Sequence, residues 1–338
     1  MSDAGRRWLK RLEARWAATD RRQRIRVAVL AGLLLLLINV SSLWVYYART
    51  RKPLPAVLPP APAVARAFKP HFLFSIYDVE EPVGVAVTPQ GDRVYVVESG
   101  GERQIHVFDR DGNPLFTFAP PESKPLECAP VYITLDADGK VYVSDRRRHT
   151  IDIYTPDGDY QGQVSAPTPD GYWAPLGVSF VGGQLYVTDV TKHEHRVMVL
   201  TPAGELLMSF GKEGKEPGQF WFPNDVAVDA KGRLYVSDGN NGRLQVFDPD
   251  GQFLYELRGL SLPRGMAIDA DRLYVVDAVG QGVNVYDISG EVVRELFIFG
   301  DFGIEDGRFN FPNDIAVDET GRLYIADRVN NRVQVWSY

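Results

Sequence analysis

The chain reads as an all-β protein, a six-bladed β-propeller preceded by one transmembrane α-helix, and three observations lead there. One segment is written six times between Pro82 and the C-terminus, at the period of a four-stranded blade. Its runs are short, rich in Val, Ile, Leu and Tyr, and end in tight turns such as Asp111-Gly112 and Asp250-Gly251. One charge-free stretch lies well ahead of the first copy.

In chain order, residues 1–26 form a basic tail with nine Lys or Arg against Asp3, Glu13 and Asp20. Residues 27–47 carry no formal charge. At ~1.5 Å per residue a helix of that length spans a ~30 Å hydrocarbon core. Only Arg49, Arg51 and Lys52 follow closely, so the positive-inside bias predicts a signal-anchored, single-pass protein of the cell membrane with its N-terminus in the cytoplasm. A cleaved signal peptide is the competing reading, but the apolar run exceeds the ~7–15 residues of a signal core. Trp8, Leu12 and Trp16 recur at four-residue spacing, as a helix on the inner membrane surface requires; a solvated basic tail is the plain alternative. Residues 48–70 make a Pro-rich linker, and the stretch 53–63 is a semi-extended spacer of about 30 Å.

Residues 71–338 form the predicted propeller. The acid closing the second run of each copy is Glu98, Asp145, Asp189, Asp238, Asp277 or Asp327, so neighbouring copies lie 47, 44, 49, 39 and 50 residues apart. A blade alone leaves two apolar faces wet, and stacking around an axis covers both. The sixth copy stops at Tyr338 after its third strand, and the run 71–77 ahead of the first copy supplies a candidate for the missing fourth. That N-terminal strand is expected to close the ring. The six acids recur in every copy, as groups that serve the blade itself would, and they are expected to accept backbone N–H bonds from loops.

The fourth and sixth copies hold Pro223-Asn224-Asp225-Val226-Ala227-Val228-Asp229 and Pro312-Asn313-Asp314-Ile315-Ala316-Val317-Asp318, each followed by Gly-Arg-Leu-Tyr and ending in Leu-Gln-Val-Phe or Val-Gln-Val-Trp. These elements resemble the NHL repeat family. The resemblance implies a propeller that serves as a binding or assembly module. Some propellers of this family are peptide-amidating lyases whose zinc is held by channel histidines. The five histidines here, His71, His106, His149, His193 and His195, occupy no first-strand entrance, so that zinc site is not reproduced.

Composition narrows the partners. Of 37 basic and 44 acidic residues, residues 1–52 hold 12 and 3, leaving 25 and 41 on residues 53–338. An acidic body argues against nucleic acid as a partner. The single Cys128 makes no internal disulfide. The face that carries the entrances to the first strands is free of packing duties and is the expected site. Its candidates are Asn224, Asp225, Arg264, Asn313, Asp314 and Arg328, joined by Arg147 and Tyr132. Guanidinium forks and carboxamides suit an anionic or amide-bearing ligand; the alternative is that the Asn-Asp pairs cap the turn into the strand. The expected partner is an envelope or membrane protein, a peptide or a glycan, with the membrane itself engaged through residues 27–47. The rival is an extracytoplasmic hydrolase or lyase using a divalent cation at Asp225, Asp314 and Asn224. No catalytic residue and no resident cofactor is assigned.

Overall fold

The computed structural model describes residues 68–120, 124, 127–168 and 171–338. The tail 1–26, the apolar stretch 27–47 and most of the linker lie outside the described residues. No helix among the described residues is long and apolar enough to cross a membrane.

Six four-stranded antiparallel sheets follow one another along the chain. Their first strands are Pro82–Val87, Pro130–Leu135, Pro175–Val181, Pro223–Val228, Pro263–Asp269 and Pro312–Val317, and they line the central channel. In the last sheet the outer strand is His71–Ile76, which pairs with the C-terminal strand Arg332–Ser337 from His71 opposite Ser337 to Ile76 opposite Val333. Phe72 meets Trp336 edge to face, with ring centroids 6.1 Å apart. The two ends of the propeller therefore share one sheet, and the last blade has four strands like the other five.

Burial explains the sequence pattern. Second strands such as Val94–Glu98, Leu234–Asp238 and Leu323–Asp327 are buried at every residue, because both faces of the sheet are covered by neighbouring blades. They accordingly read as continuous apolar runs rather than alternations. Fourth strands such as Pro114–Phe118 and Leu206–Phe210 alternate between exposed and half-buried at the rim. The apolar core is divided into six clusters, one per blade junction. The junction between the last and first blades joins Tyr324, Val333 and Val335 to Val85, Val94 and Phe108. That cluster closes the circle.

Asx turns set the hairpins. The Asp229 carboxylate accepts N–H bonds from Lys231 and Arg233, both 2.9 Å, and Gly232 takes the positive φ (78°) that the turn needs. Asp318 repeats the arrangement with Thr320 and Arg322.

All six register acids accept a backbone N–H from the loop entering their own blade. The donors are Glu80, Ala129, Ala174, Trp221, Ser261 and Asn310, at 2.7–3.0 Å. In the fourth blade Asp238 also accepts from Arg243 Nε (2.8 Å) and Gln245 Nε2 (2.9 Å), with Arg243 only 1% exposed. In the sixth, Asp327, Arg332 and Gln334 repeat the same network. These buried pairs are satisfied on both sides, the condition under which a buried charge is tolerable.

Candidate functional site

Each first strand opens on a proline, and its pairing with the second strand is irregular over the next one to three residues. Proline cannot donate to the ladder, and the bulge behind it re-aims the following side chains toward the axis. Two rings of residues result. One step after proline stand Val83, Val131, Leu176, Asn224, Arg264 and Asn313; two steps after stand Gly84, Tyr132, Gly177, Asp225, Gly265 and Asp314.

The second ring alternates glycine with a larger side chain, and the geometry shows why. A Cβ on Gly265 would lie 1.9 Å from the Asp314 carboxylate, one on Gly177 2.6 Å from the Cα of Asp225, and one on Gly84 2.4 Å from the carbonyl oxygen of Val131. Three side chains fill this level and three glycines make room for them. Tyr132, Asp225 and Asp314 thus form a partition across the channel.

On one side of the partition is a cavity of 330 Å³, lined by residues such as Val85, Ile133, Met266 and Ile315, with Tyr132, Asp225 and Asp314 as its floor. On the other side, at the mouth, is a cup of 720 Å³. Its lining includes the five arginines Arg103, Arg146, Arg147, Arg264 and Arg328, together with Asn224, Asn313 and a single carboxylate, Glu81. The structure therefore gathers Asn224, Arg264, Asn313, Arg328 and Arg147 into one cup, and places Tyr132, Asp225 and Asp314 beneath it.

The Asn-Asp pairs do more than cap a turn. Asn224 Nδ2 donates to the carbonyl of Pro263 in the fifth blade (3.0 Å), and Asn313 Nδ2 donates to that of Val83 in the first. Asp225 accepts the N–H of Met266 (2.8 Å), and Asp314 that of Val85 (2.9 Å). Both pairs stitch an even blade to the next odd one. Ser144 and Thr188 do the same work elsewhere, donating to the carbonyls of Leu176 (2.6 Å) and Asn224 (3.4 Å). Burial pushes Asp225 up to about 7, and burial together with the Asp225 charge raises Asp314 well above the usual carboxylate range. Two of the residues expected to hold a hard cation are thus buried carboxylates whose ionisation is disfavoured and whose oxygens already serve backbone amides. Among the described residues no group of three or more His, Cys, Asp or Glu could hold a metal ion.

The cup is electrostatically one-sided. Arg264 has its pKa lowered by desolvation and by neighbouring Arg328; Arg146 is lowered by desolvation and by Arg264. Arg328 is paired with Glu81 at 2.7 Å, which lowers the Glu81 pKa in turn. Arg103 donates to the carbonyl of Cys128 at 2.7 Å. The guanidinium of Arg146 lies 5.3 Å from the ring centre of Phe222, and that of Arg264 lies 5.5 Å from that of Phe311.

Three residues just before the prolines hold positive φ at this rim: Glu81 (48°), Phe222 (64°) and Phe311 (56°). Such a conformation is costly for a residue with a Cβ. Each is held by a side chain of the preceding blade that accepts its N–H: Asn331 for Glu81 (2.9 Å), His195 Nδ1 for Phe222 (3.2 Å) and Gln281 for Phe311 (2.7 Å). His195, one of the two histidines of the His193-Glu194-His195 segment, is therefore a positioning residue for the rim.

Comparison with known proteins agrees with this architecture. The NHL repeat model matches residues 220–247 and 309–336, the fourth and sixth copies. NHL repeat-containing protein 3 of Mus musculus is 26% identical over 257 residues, spanning 69% of this chain and 59% of that protein. The chain carries NHL repeats in its fourth and sixth copies. The NHL propeller is also similar to peptidyl-glycine alpha-amidating monooxygenase A of Xenopus laevis, 28% identical over 236 residues, covering 64% of this chain but only 25% of that enzyme. Among solved structures, a streptogramin B lyase superposes with a TM-score of 0.56 at 13% identity, over 80% of this chain and 96% of that one. At that identity the likeness is one of fold.

Sequence reasoning on the NHL propeller missed Arg103 and the rim-holding residues Gln281 and His195. Arg103 lies in the loop between second and third strands of the first blade, the loop that carries Arg146 in the second blade and Arg328 in the sixth.

Proposed function

We propose that this chain is a membrane-tethered NHL propeller, held outside the cytoplasm by residues 27–47, that acts as a binding module and takes an anionic group of an envelope protein, peptide or glycan into its mouth. The observation that carries the reading is the cup itself: five guanidinium groups face a single carboxylate in a concave space of 720 Å³ on an otherwise acidic body. Known ligand pockets occupy about 300–1,000 Å³. Desolvated like charges repel, and an anion seated among them relieves that repulsion while forming charge-assisted forks.

Affinity capture of the full-length chain from its own membranes is the test. The wild type is expected to retain a partner that Arg264→Gln and Arg328→Gln lose, with retention falling as salt is raised. Equal capture by wild type and both variants sinks the assignment of the mouth. Protease protection in intact cells tests the tether, which fails if the propeller is shielded with cytosolic markers.

A metal-dependent hydrolase or lyase is the second reading, and the paired carboxylates of Asp225 and Asp314 are what favour it. Stoichiometric metal in the purified chain, lost in Asp225→Ala, would move the assignment there.

A further inference from the structure

The two carboxamide oxygens in the cup are unused. Asn224 and Asn313 are each 1% exposed, their Nδ2 groups are committed to the next blade, and neither Oδ1 has a hydrogen-bond partner. A buried acceptor without a donor is uncommon in a native structure, and it points to something that donates. Between them on the same ring stands Arg264, whose Nε is also unpartnered, as is that of Arg328. The polar half of the cup is thus a cation flanked on both sides by acceptors, on the fourth, fifth and sixth blades. At the same level the first three blades present the aliphatic Val83, Val131 and Leu176, while the loops of the first two contribute Arg103, Arg146 and Arg147 to the cup.

A small anion such as phosphate would satisfy the guanidiniums and leave both carboxamide oxygens dry. A bare polycarboxylate would do the same. An acidic peptide brings N–H donors, but spaced along one strand rather than on either side of its carboxylate. What fits all three requirements is a ring that carries one anionic group, hydroxyl donors on both sides of it, and an apolar C–H face. We propose that the cup binds an acidic saccharide, its carboxylate or phosphate held by Arg264 and Arg328, its flanking hydroxyls donating to Asn224 Oδ1 and Asn313 Oδ1, and its C–H face resting on Val83, Val131 and Leu176. This rests on reading the mouth as an anion-binding face and names the class of anion.

Titration calorimetry on the purified full-length chain tests it with five probes: trigalacturonate, mannose 6-phosphate, the trimethyl ester of trigalacturonate, tricarballylate and tetraglutamate. Saturable binding of trigalacturonate or mannose 6-phosphate is expected, and which of the two binds identifies the anionic group. That affinity should fall at least tenfold for the ester and for tricarballylate, and at least tenfold in Arg264→Gln. If Arg264→Gln does not give the wild-type circular dichroism spectrum, Arg328→Gln, a rim residue, replaces it. Tricarballylate or tetraglutamate binding as tightly as the acid sugars would overturn the saccharide while leaving the anionic mouth standing. No binding by any of the charged probes would overturn both.

Discussion

Gly265→Ala probes the partition directly. Gly265 does not need a positive φ, so the change adds a methyl group without a backbone penalty, and its effect is purely one of space. The new Cβ would sit 1.9 Å from Asp314 Oδ1 and 2.7 Å from Asp314 Cα, where ordinary contact begins at 3.4 Å. The carboxylate has to move by more than an ångström, and it is the acceptor for Val85 N–H across the last blade junction. Overpacking costs about 1–3 kcal/mol, and a buried hydrogen bond broken on one side about 1–3 kcal/mol more. A total of about 2–6 kcal/mol corresponds to a melting temperature roughly 4–24 °C lower in a domain of this size. Gly290→Ala is the control: its nearest neighbour would be 3.7 Å away, and its melting temperature should match the wild type. Thermal unfolding of the two variants, followed by circular dichroism, makes the comparison. The double variant Gly265→Ala/Asp314→Ala removes the carboxylate part of the clash and keeps only the approach to the residue 314 Cα, so the two changes should couple rather than add. A Gly265→Ala protein as stable as Gly290→Ala, or a fully additive cycle, refutes the alternating layer.

Three other outcomes follow from the same structure. Arg243→Met strands the Asp238 carboxylate without its ion-pair partner and should cost about 3–5 kcal/mol in denaturant unfolding, whereas Arg258→Met, at a side chain 70% exposed, should stay within about 1 kcal/mol; equal losses would show that the buried network is inert. Deleting residues 71–77 removes the outer strand of the last blade and the Phe72–Trp336 contact, and should lower the melting temperature sharply, an unchanged value being the refuting one. Asp225 at about 7 and Asp152 at about 6 lie above the ~3.9 of an unfolded Asp, so the native state binds more protons between about pH 4 and pH 7 and stability should fall as pH rises through that window. Asp287, held at about 2 by hydrogen bonds from Ser289 and Arg294, acts the other way but only below about pH 4. Melting temperatures at pH 5.5 and 7.5 check the sign, and Asp225→Asn should reduce the slope.

The repeat, the strand positions, the Asx turns and the work of the six acids were all legible in the chain, because each is a local matter. A proline, an apolar run and an Asp-Gly turn act within a dozen residues. The pairing of Asp238 with Arg243 and Gln245 is likewise a near-neighbour arrangement. What the chain alone determines is therefore the blade and its number.

What tertiary structure decides is who meets whom on the axis. Arg103 and Arg328 line one cup although more than two hundred residues separate them. Asn224 and Asp225 read as a pair, yet one lines the mouth while the other floors the opposite cavity, since adjacent residues on a channel strand lie at different depths. The order Gly84, Tyr132, Gly177, Asp225, Gly265, Asp314 stands in the sequence from the start. Its meaning depends on the width of the closed ring, where a level has space for three side chains and not six, and that width exists only once the last blade has met the first.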